Sequence, residues 1–334
     1  MTIIIDKILK ATNRKELFGS GNDGSMRQAY RKLARQSHPD MFSNPTDKLR
    51  AEKAFKHLTL LWESTPDNRP AKNSLVVTKK HSYDLGSKIH EDDFFIAYNA
   101  SYDDGHEQCE LWITRNPQDN DLGQNAGNSL KKLNKEVPEK FSAFFPELVE
   151  SFKYRQHGVN HATIAQKIPV GFVSLAEVKK AYPQGISGRD VAWMFKRMLV
   201  AIGNTHDAGL VHGGISGNAF MIHPELHGLI LRNWQYSVVT NEALTAIDPT
   251  VKTFYPESVF KKEPQGYALD IRMAAKVAQE LLEEKAPRQL RIFFSGCMVS
   301  SMPHPAQLLM EFDDLLLRFY GAPKFHVFTM PEKY

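Results

Sequence analysis

Leu210-Val211-His212-Gly213-Gly214-Ile215-Ser216-Gly217-Asn218-Ala219-Phe220-Met221-Ile222 begins where a long helical pattern stops. Upstream of it, Val191, Met194, Phe195, Met198, Leu199 and Ile202 recur at three- and four-residue spacings between Arg189 and Ala208, which marks an amphipathic helix. Downstream lie Leu229 to Tyr236 and two further helical patterns, Ile271 to Leu282 and Pro305 to Phe319. Further upstream the period changes. Strand-like runs fall around 83–90, 93–102 and 108–115, then a polar helix over 119–135, then strands near 147–156 and 162–168. The loop thus follows a strand-rich lobe and sits inside a helical one.

The segment 64–74 is polar, carries two prolines and separates this region from three more helical runs, Ile3 to Ala11, Met26 to Ser37 and Thr46 to Glu63. The sequence therefore divides into 1–66, a linker at 67–82, and 83–334. Within the first piece, Ala29-Tyr30-Arg31-Lys32-Leu33-Ala34-Arg35-Gln36-Ser37-His38-Pro39-Asp40 turns Tyr30, Leu33 and Ala34 inward and leaves Arg27, Arg31, Lys32 and Arg35 as a basic strip. Pro39 ends that helix, because it lacks an amide hydrogen and disfavours helical geometry at the residue before it. Ala51, Ala54, Phe55, Leu58 and Trp62 supply the facing side of the next helix, with Thr46 or Asp47 at its start.

This piece resembles the J-domain family, in which A-Y-R-x-L-A leads into H-P-D; Leu17-Phe18-Gly19 is similar to the family's turn between its first two helices. The resemblance implies an all-α antiparallel helix hairpin with an HPD loop. It also implies that His38, Pro39 and Asp40 engage a DnaK-type chaperone and stimulate its ATPase, while Arg27, Arg31, Lys32 and Arg35 steer the approach.

From about residue 83 the order of segments resembles the protein-kinase family, a bilobal α+β fold, with its chemistry missing. Ile89 to Tyr98 takes the place of the glycine-rich hairpin, yet it has no glycine and carries Glu91, Asp92 and Asp93 where phosphates would lie. Glu110-Leu111-Trp112-Ile113-Thr114-Arg115 takes the place of the lysine-bearing strand; Trp112, or Thr114 after a two-residue slip, holds the lysine position. Gln124, Asn125 and Ala126 stand where the partner glutamate belongs. Gly214 replaces the catalytic aspartate, Ala219 the metal-binding asparagine and Asn233 the metal-binding aspartate; Asn218, one position early, reads as a structural turn asparagine, with a shifted metal ligand as the alternative. His212, Tyr255-Pro256-Glu257 and Asp270 match scaffold positions, His212 and Asp270 as hydrogen-bonded packing anchors. Asn116 to Leu122 and Glu311 to Leu316 are similar to segments of J-domain-linked kinase-like proteins of bacteria and bacteriophages.

Composition sets outer limits. At 334 residues and 42% hydrophobic content the chain can bury two cores. Residues 1–65 hold 12 Lys/Arg against 7 Asp/Glu, so the net charge of +4 belongs to the N-terminal piece. A basic domain suits an acidic protein surface or nucleic acid; the basic strip fits the chaperone better, and nucleic acid is disfavoured. No run of about 20 apolar residues exists to cross a bilayer, and Cys109 and Cys297 lie far apart without a C-x-x-C partner, as in a cytoplasmic protein. The pairs His157/His161 and His223/His227 lack a third ligand, so neither metal nor cofactor is expected. The reading is a J-domain adaptor whose kinase-like part, a pseudokinase without catalytic residues, holds a client or regulator. The alternative is a divergent kinase or nucleotidyl-transferring enzyme with displaced residues.

Overall fold

The computed structural model describes residues 2–11, 14–18, 29–30, 32–34, 36–37, 42, 44–63, 75–103, 105–156, 158–299, 304–322, 324–325 and 327–331. The chain divides into two compact units, Met1–Ser74 and Leu75–Tyr334. Among the described residues, no helix is long and apolar enough to cross a membrane.

The first unit contains helices Thr2–Lys10, Arg14–Phe18 and Pro45–Glu63, with helical backbone also at 29–30, 32–34 and 36–37. Its core is Ile5, Ile8, Ala11, Leu17, Phe18, Ala51, Ala54 and Leu58, against which Tyr30, Leu33 and Ala34 pack. The inward-facing residues read from the 29–40 stretch therefore do face a core. His38, Pro39, Asp40, Arg27, Arg31 and Arg35 lie outside the described residues, as does the side chain of Trp62; Lys32 is helical and exposed.

The second unit opens with an antiparallel sheet of β1 (Leu75–Val77), β2 (Ser82–Glu91), β3 (Phe95–Tyr102), β4 (Glu107–Thr114), β5 (Glu147–Gln156) and β6 (Val159–Lys167), in the order β1-β2-β3-β4-β6-β5. The linker expected at 67–82 is thus too long at its C-terminal end: Leu75 to Val77 pair with Asp84 to Ser82. A three-residue strand carries too little alternation to stand out from its polar neighbours. The two-residue period splits the sheet's side chains. Tyr83, Leu111, Ile113 and Ala165 share one buried cluster with Val76, whereas Phe95, Ala97, Trp112 and Ile164 join the large core of the helical lobe.

Helix Asn120–Glu136 crosses from β4 to β5 and packs on β6 and β5. The helical lobe is built on Gly188–Asp207, Tyr267–Leu281, Arg288–Gly296 and Pro305–Tyr320. Phe195, Phe293, Phe294 and Phe312 interlock at its centre with ring centroids 4.7–6.3 Å apart. Five short strands complete the unit: β7 (Val173–Ser174), β8 (Leu210–Val211), β9 (Phe220–His223), β10 (Gly228–Leu231) and β11 (Val238–Val239). β9 lies between β10 and β7, and β8 pairs with β11. These pairings hold the 212–219 loop at the junction of the lobes.

Candidate functional site: a self-filled cleft

The 212–219 loop is pinned from below by Asp270, in the first turn of the 267–281 helix and fully buried. Its Oδ2 accepts from the His212 amide at 2.8 Å and from His206 Nε2 at 3.0 Å, and its Oδ1 accepts from the Gly213 amide at 2.9 Å. Burial pushes the Asp270 carboxyl up, but the His206 hydrogen bond, the neighbouring histidines and the Gly213 amide together hold it below the usual carboxylate range. His212 Nε2 donates to the Arg232 carbonyl at 2.8 Å while its Nδ1 accepts the Gly214 amide at 3.2 Å, which fixes the neutral tautomer. Burial lowers the His212 pKa, against the pull of Asp270. His212 and Asp270 are hydrogen-bonded anchors, the role expected of them at their matched scaffold positions.

At Gly214, the position of the expected base, a Cβ would stand 2.5 Å from the Tyr236 ring. Tyr236 is buried and its hydroxyl is made less acidic, first by burial and then by Asp248 and Asp92. The ring fills the space into which an aspartate would project. Ala219 is buried, its carbonyl accepting the Arg232 amide at 2.8 Å. Asn218 is exposed; its carbonyl accepts from Arg232 Nε at 3.0 Å and from Asn233 Nδ2 at 3.5 Å. Asn233 has φ 70°, a left-handed conformation that asparagine tolerates better than most residues.

Across the cleft, Trp112 and Thr114 point from β4 toward the same side. Trp112 Nε1 donates to Glu110 at 2.8 Å, and Gln166 Nε2 donates to the same carboxylate oxygen at 3.2 Å. The Arg232 guanidinium lies 5.8 Å over the Trp112 ring, His90 tilts against that ring at 4.9 Å, and Phe95 meets it edge-on at 6.3 Å. Burial lowers the Arg232 pKa, while Glu110 and Glu177 oppose that. Thr114 is committed elsewhere, donating to Asn120 Oδ1 at 2.6 Å. The position expected for the lysine is therefore occupied on either register by a side chain that is no cation, and the Arg232 guanidinium over Trp112 comes from the opposite lobe.

Asp92 closes the hairpin end. Its Oδ1 accepts from the Phe94 and Phe95 amides at 2.8 and 2.7 Å, its Oδ2 accepts from His90 Nε2 at 2.8 Å, and Arg115 donates to its carbonyl at 2.6 Å. Burial pushes the Asp92 carboxyl up, but His90 and the Phe95 and Phe94 amides hold it below its ordinary value. On the 120–136 helix Gln124 is exposed, Ala126 is buried, and Asn125 donates to the Gln235 and Ser237 carbonyls at 3.0 and 2.7 Å. An amide thus ties that helix to the backbone after Asn233.

Among the described residues no group of three or more His, Cys, Asp or Glu could hold a metal. His161 bonds the Thr114 carbonyl and His223 accepts the Leu226 amide; His157 lies outside the described residues. Sequence reasoning missed Tyr236, Glu110, Gln166 and Arg232. The available signal was Arg232 itself, a cation ending the apolar run Leu229-Ile230-Leu231.

No protein-family profile and no curated protein matches the chain. Solved structures do. The BubR1 kinase domain superposes with TM-score 0.57 at 13% identity, covering 86% of this chain and 93% of that one. Vaccinia related kinase 3 superposes with TM-score 0.57 at 14% identity, covering 77% of this chain and 95% of that one. At such identities the likeness speaks for architecture alone, and the architecture is that of a protein kinase: this chain carries a kinase-like fold.

Proposed function

We propose that the kinase-like unit is a pseudokinase, a binding module that does not transfer phosphate, and that residues 1–66 are a J-domain recruiting a DnaK-type chaperone to whatever that module holds. The observation that carries the first half is the Tyr236 ring standing in the space of the Gly214 side chain. Phosphoryl transfer needs an oriented nucleophile, a bound metal and a clamp on the phosphates. Here the base position is a glycine under a ring, Ala219 offers no metal ligand, and Asp92 spends its carboxylate on the hairpin's own amides. Each missing charge-assisted contact removes about 1.5–3 kcal/mol, while millimolar binding amounts to about 4 kcal/mol in all. Titration of the full chain with ATP and magnesium should give no heat and no change in melting temperature. Micromolar binding would overturn the proposal.

The second half rests on the A-Y-R-x-L-A to H-P-D resemblance and on a core formed by Tyr30, Leu33 and Ala34 with the flanking helices. His38→Gln should abolish stimulation of a DnaK-type ATPase without altering helicity. Stimulation equal to wild type would refute a J-domain role. A cytoplasmic location and a protein client follow from this reading.

The second reading, a divergent enzyme, is favoured by the kinase-like fold itself and by the meeting of Asn218 with Asn233, whose side-chain amide donates to the Asn218 carbonyl at 3.5 Å, so that two residues able to offer neutral oxygens stand where metal ligands are expected. Transfer of labelled phosphate or nucleotide that disappears in Asn233→Ala would establish it.

A further inference from the structure

We propose that a cavity whose lining shares no residue with the cleft described above binds a small aromatic carboxylate. It has a volume of about 520 Å³ and lies among the 188–207 helix, the 305–320 helix and the tail that follows, a size typical of clefts that enclose small ligands. Its walls are aromatic. Trp193 and His227 stack face to face at 4.0 Å and 3°, Phe325 tilts over His227 at 4.5 Å, and Tyr320 closes one side.

Three features there serve no obvious packing purpose. His227 holds φ 53°, a left-handed conformation that costs a non-glycine residue energy and is found disproportionately at functional sites. The Trp193 indole N–H is covered yet has no acceptor among the described residues. Phe325 remains 68% exposed although the tail is pinned on both sides of it, by the turn at Gly321 and by Phe328, which is buried against Tyr182. Gly321, Ala322, Lys324 and Phe325 line the cavity, and Phe325 presents an aromatic ring there.

Charge decides the ligand's class. Lys196 is neutralised by Asp313 at 2.6 Å. Arg189 lies 4.8 Å over the Tyr320 ring and, like Lys324, forms no ion pair among the described residues; Asp314 is the one opposing charge left unpaired there. Two cations without an ion pair among the described residues, against one such carboxylate, favour an anion, and a guanidinium beside aromatic rings suits a flat body bearing a carboxylate.

The test is calorimetric titration of the full chain with 2-naphthoate, with the uncharged 2-naphthamide and with 2-naphthylmethylammonium. Saturable 2-naphthoate binding is expected below about 1 mM, with the other two weaker. Arg189→Gln should weaken 2-naphthoate about tenfold, the worth of one charge-assisted contact, and leave 2-naphthamide unchanged; Phe325→Ala should weaken both. Should Arg189→Gln melt early, Lys324→Gln carries the same comparison. Absence of saturable binding, equal binding of the amide, tighter binding of the ammonium, or indifference to these substitutions would overturn the proposal.

Discussion

Gly214 has no room for a side chain while Tyr236 stays where it is, since a Cβ would come within 2.5–3.1 Å of three atoms of that residue. Restoring an aspartate should therefore destabilise the protein by about 1–3 kcal/mol, the usual cost of overpacking, and should restore no activity. Removing the ring as well should recover part of that loss. A double-mutant cycle of Gly214→Asp with Tyr236→Ala in urea measures it, and additive effects would show that the ring is not the obstacle. The pinned His212 supplies a pH test. Its folded form is held neutral by burial, against the pull of Asp270, whereas in the unfolded chain it takes a proton near pH 6.5, about the ordinary value. The unfolded state then binds more protons, so stability should begin to fall as pH drops below about 6.5. His212→Gln should flatten that part of the melting profile. Asp270, held low, adds stability that persists until the pH falls below the ordinary carboxylate range, so the two residues act in separate windows. What the sequence offered at this scale was an expectation of absence at Gly214, Ala219 and Asn233. Tyr236 was not legible, because its meeting with Gly214 is made by the β8–β11 pairing and leaves no trace in local spacing.

The 120–136 helix shows why a polar pattern can still make a buried element. Gly123 would place a Cβ 2.7 Å from Ala162 Cβ and 2.9 Å from Thr114 Cγ2, and Gly127 would place one 2.4 Å from Ser151 Oγ. Both glycines let the helix lie close on β4, β6 and β5, and both cost helix propensity, about 1 kcal/mol each relative to alanine. On an exposed helix Gly123→Ala would stabilise. Here it should destabilise by about 1–2 kcal/mol, because the overpacking term exceeds the propensity gain, and a thermal melt with a raised midpoint would refute close packing as the glycine's role. The helix was visible in the sequence through its spacing, as were the long strands and the 188–207 helix. The short elements were not. β1 has three residues, and Leu175–Ala181 is fixed by a capping box in which the Ser174 side chain accepts the Glu177 amide and Glu177 reaches back to Ser174, a signal that was present but unread.

At the scale of the molecule, the boundary between units falls at Ser74/Leu75, eight residues before the domain start at 83 inferred from the first strong alternation. Those residues carry interactions that the rest of the sheet lacks without them. Val76 is 1% exposed and shares a cluster with Tyr83, Leu111 and Ile113. Thr78 Oγ1 donates to Glu150 on β5 at 2.8 Å, joining Tyr83 Oη, which donates to the same oxygen at 3.1 Å. Burial of a valine side chain is worth about 1.5–3 kcal/mol, and a hydrogen bond to a charged group about 1.5–3 kcal/mol. β1 is an edge strand, so its loss would also uncover the β2 backbone to water or to another chain. A fragment spanning 75–334 should therefore unfold cooperatively in urea, and one spanning 83–334 should be less stable by about 3 kcal/mol and more prone to associate at raised concentration. Equal midpoints for the two fragments would mean that β1 only rests on the sheet, and that the strand-rich lobe is complete from β2 onward.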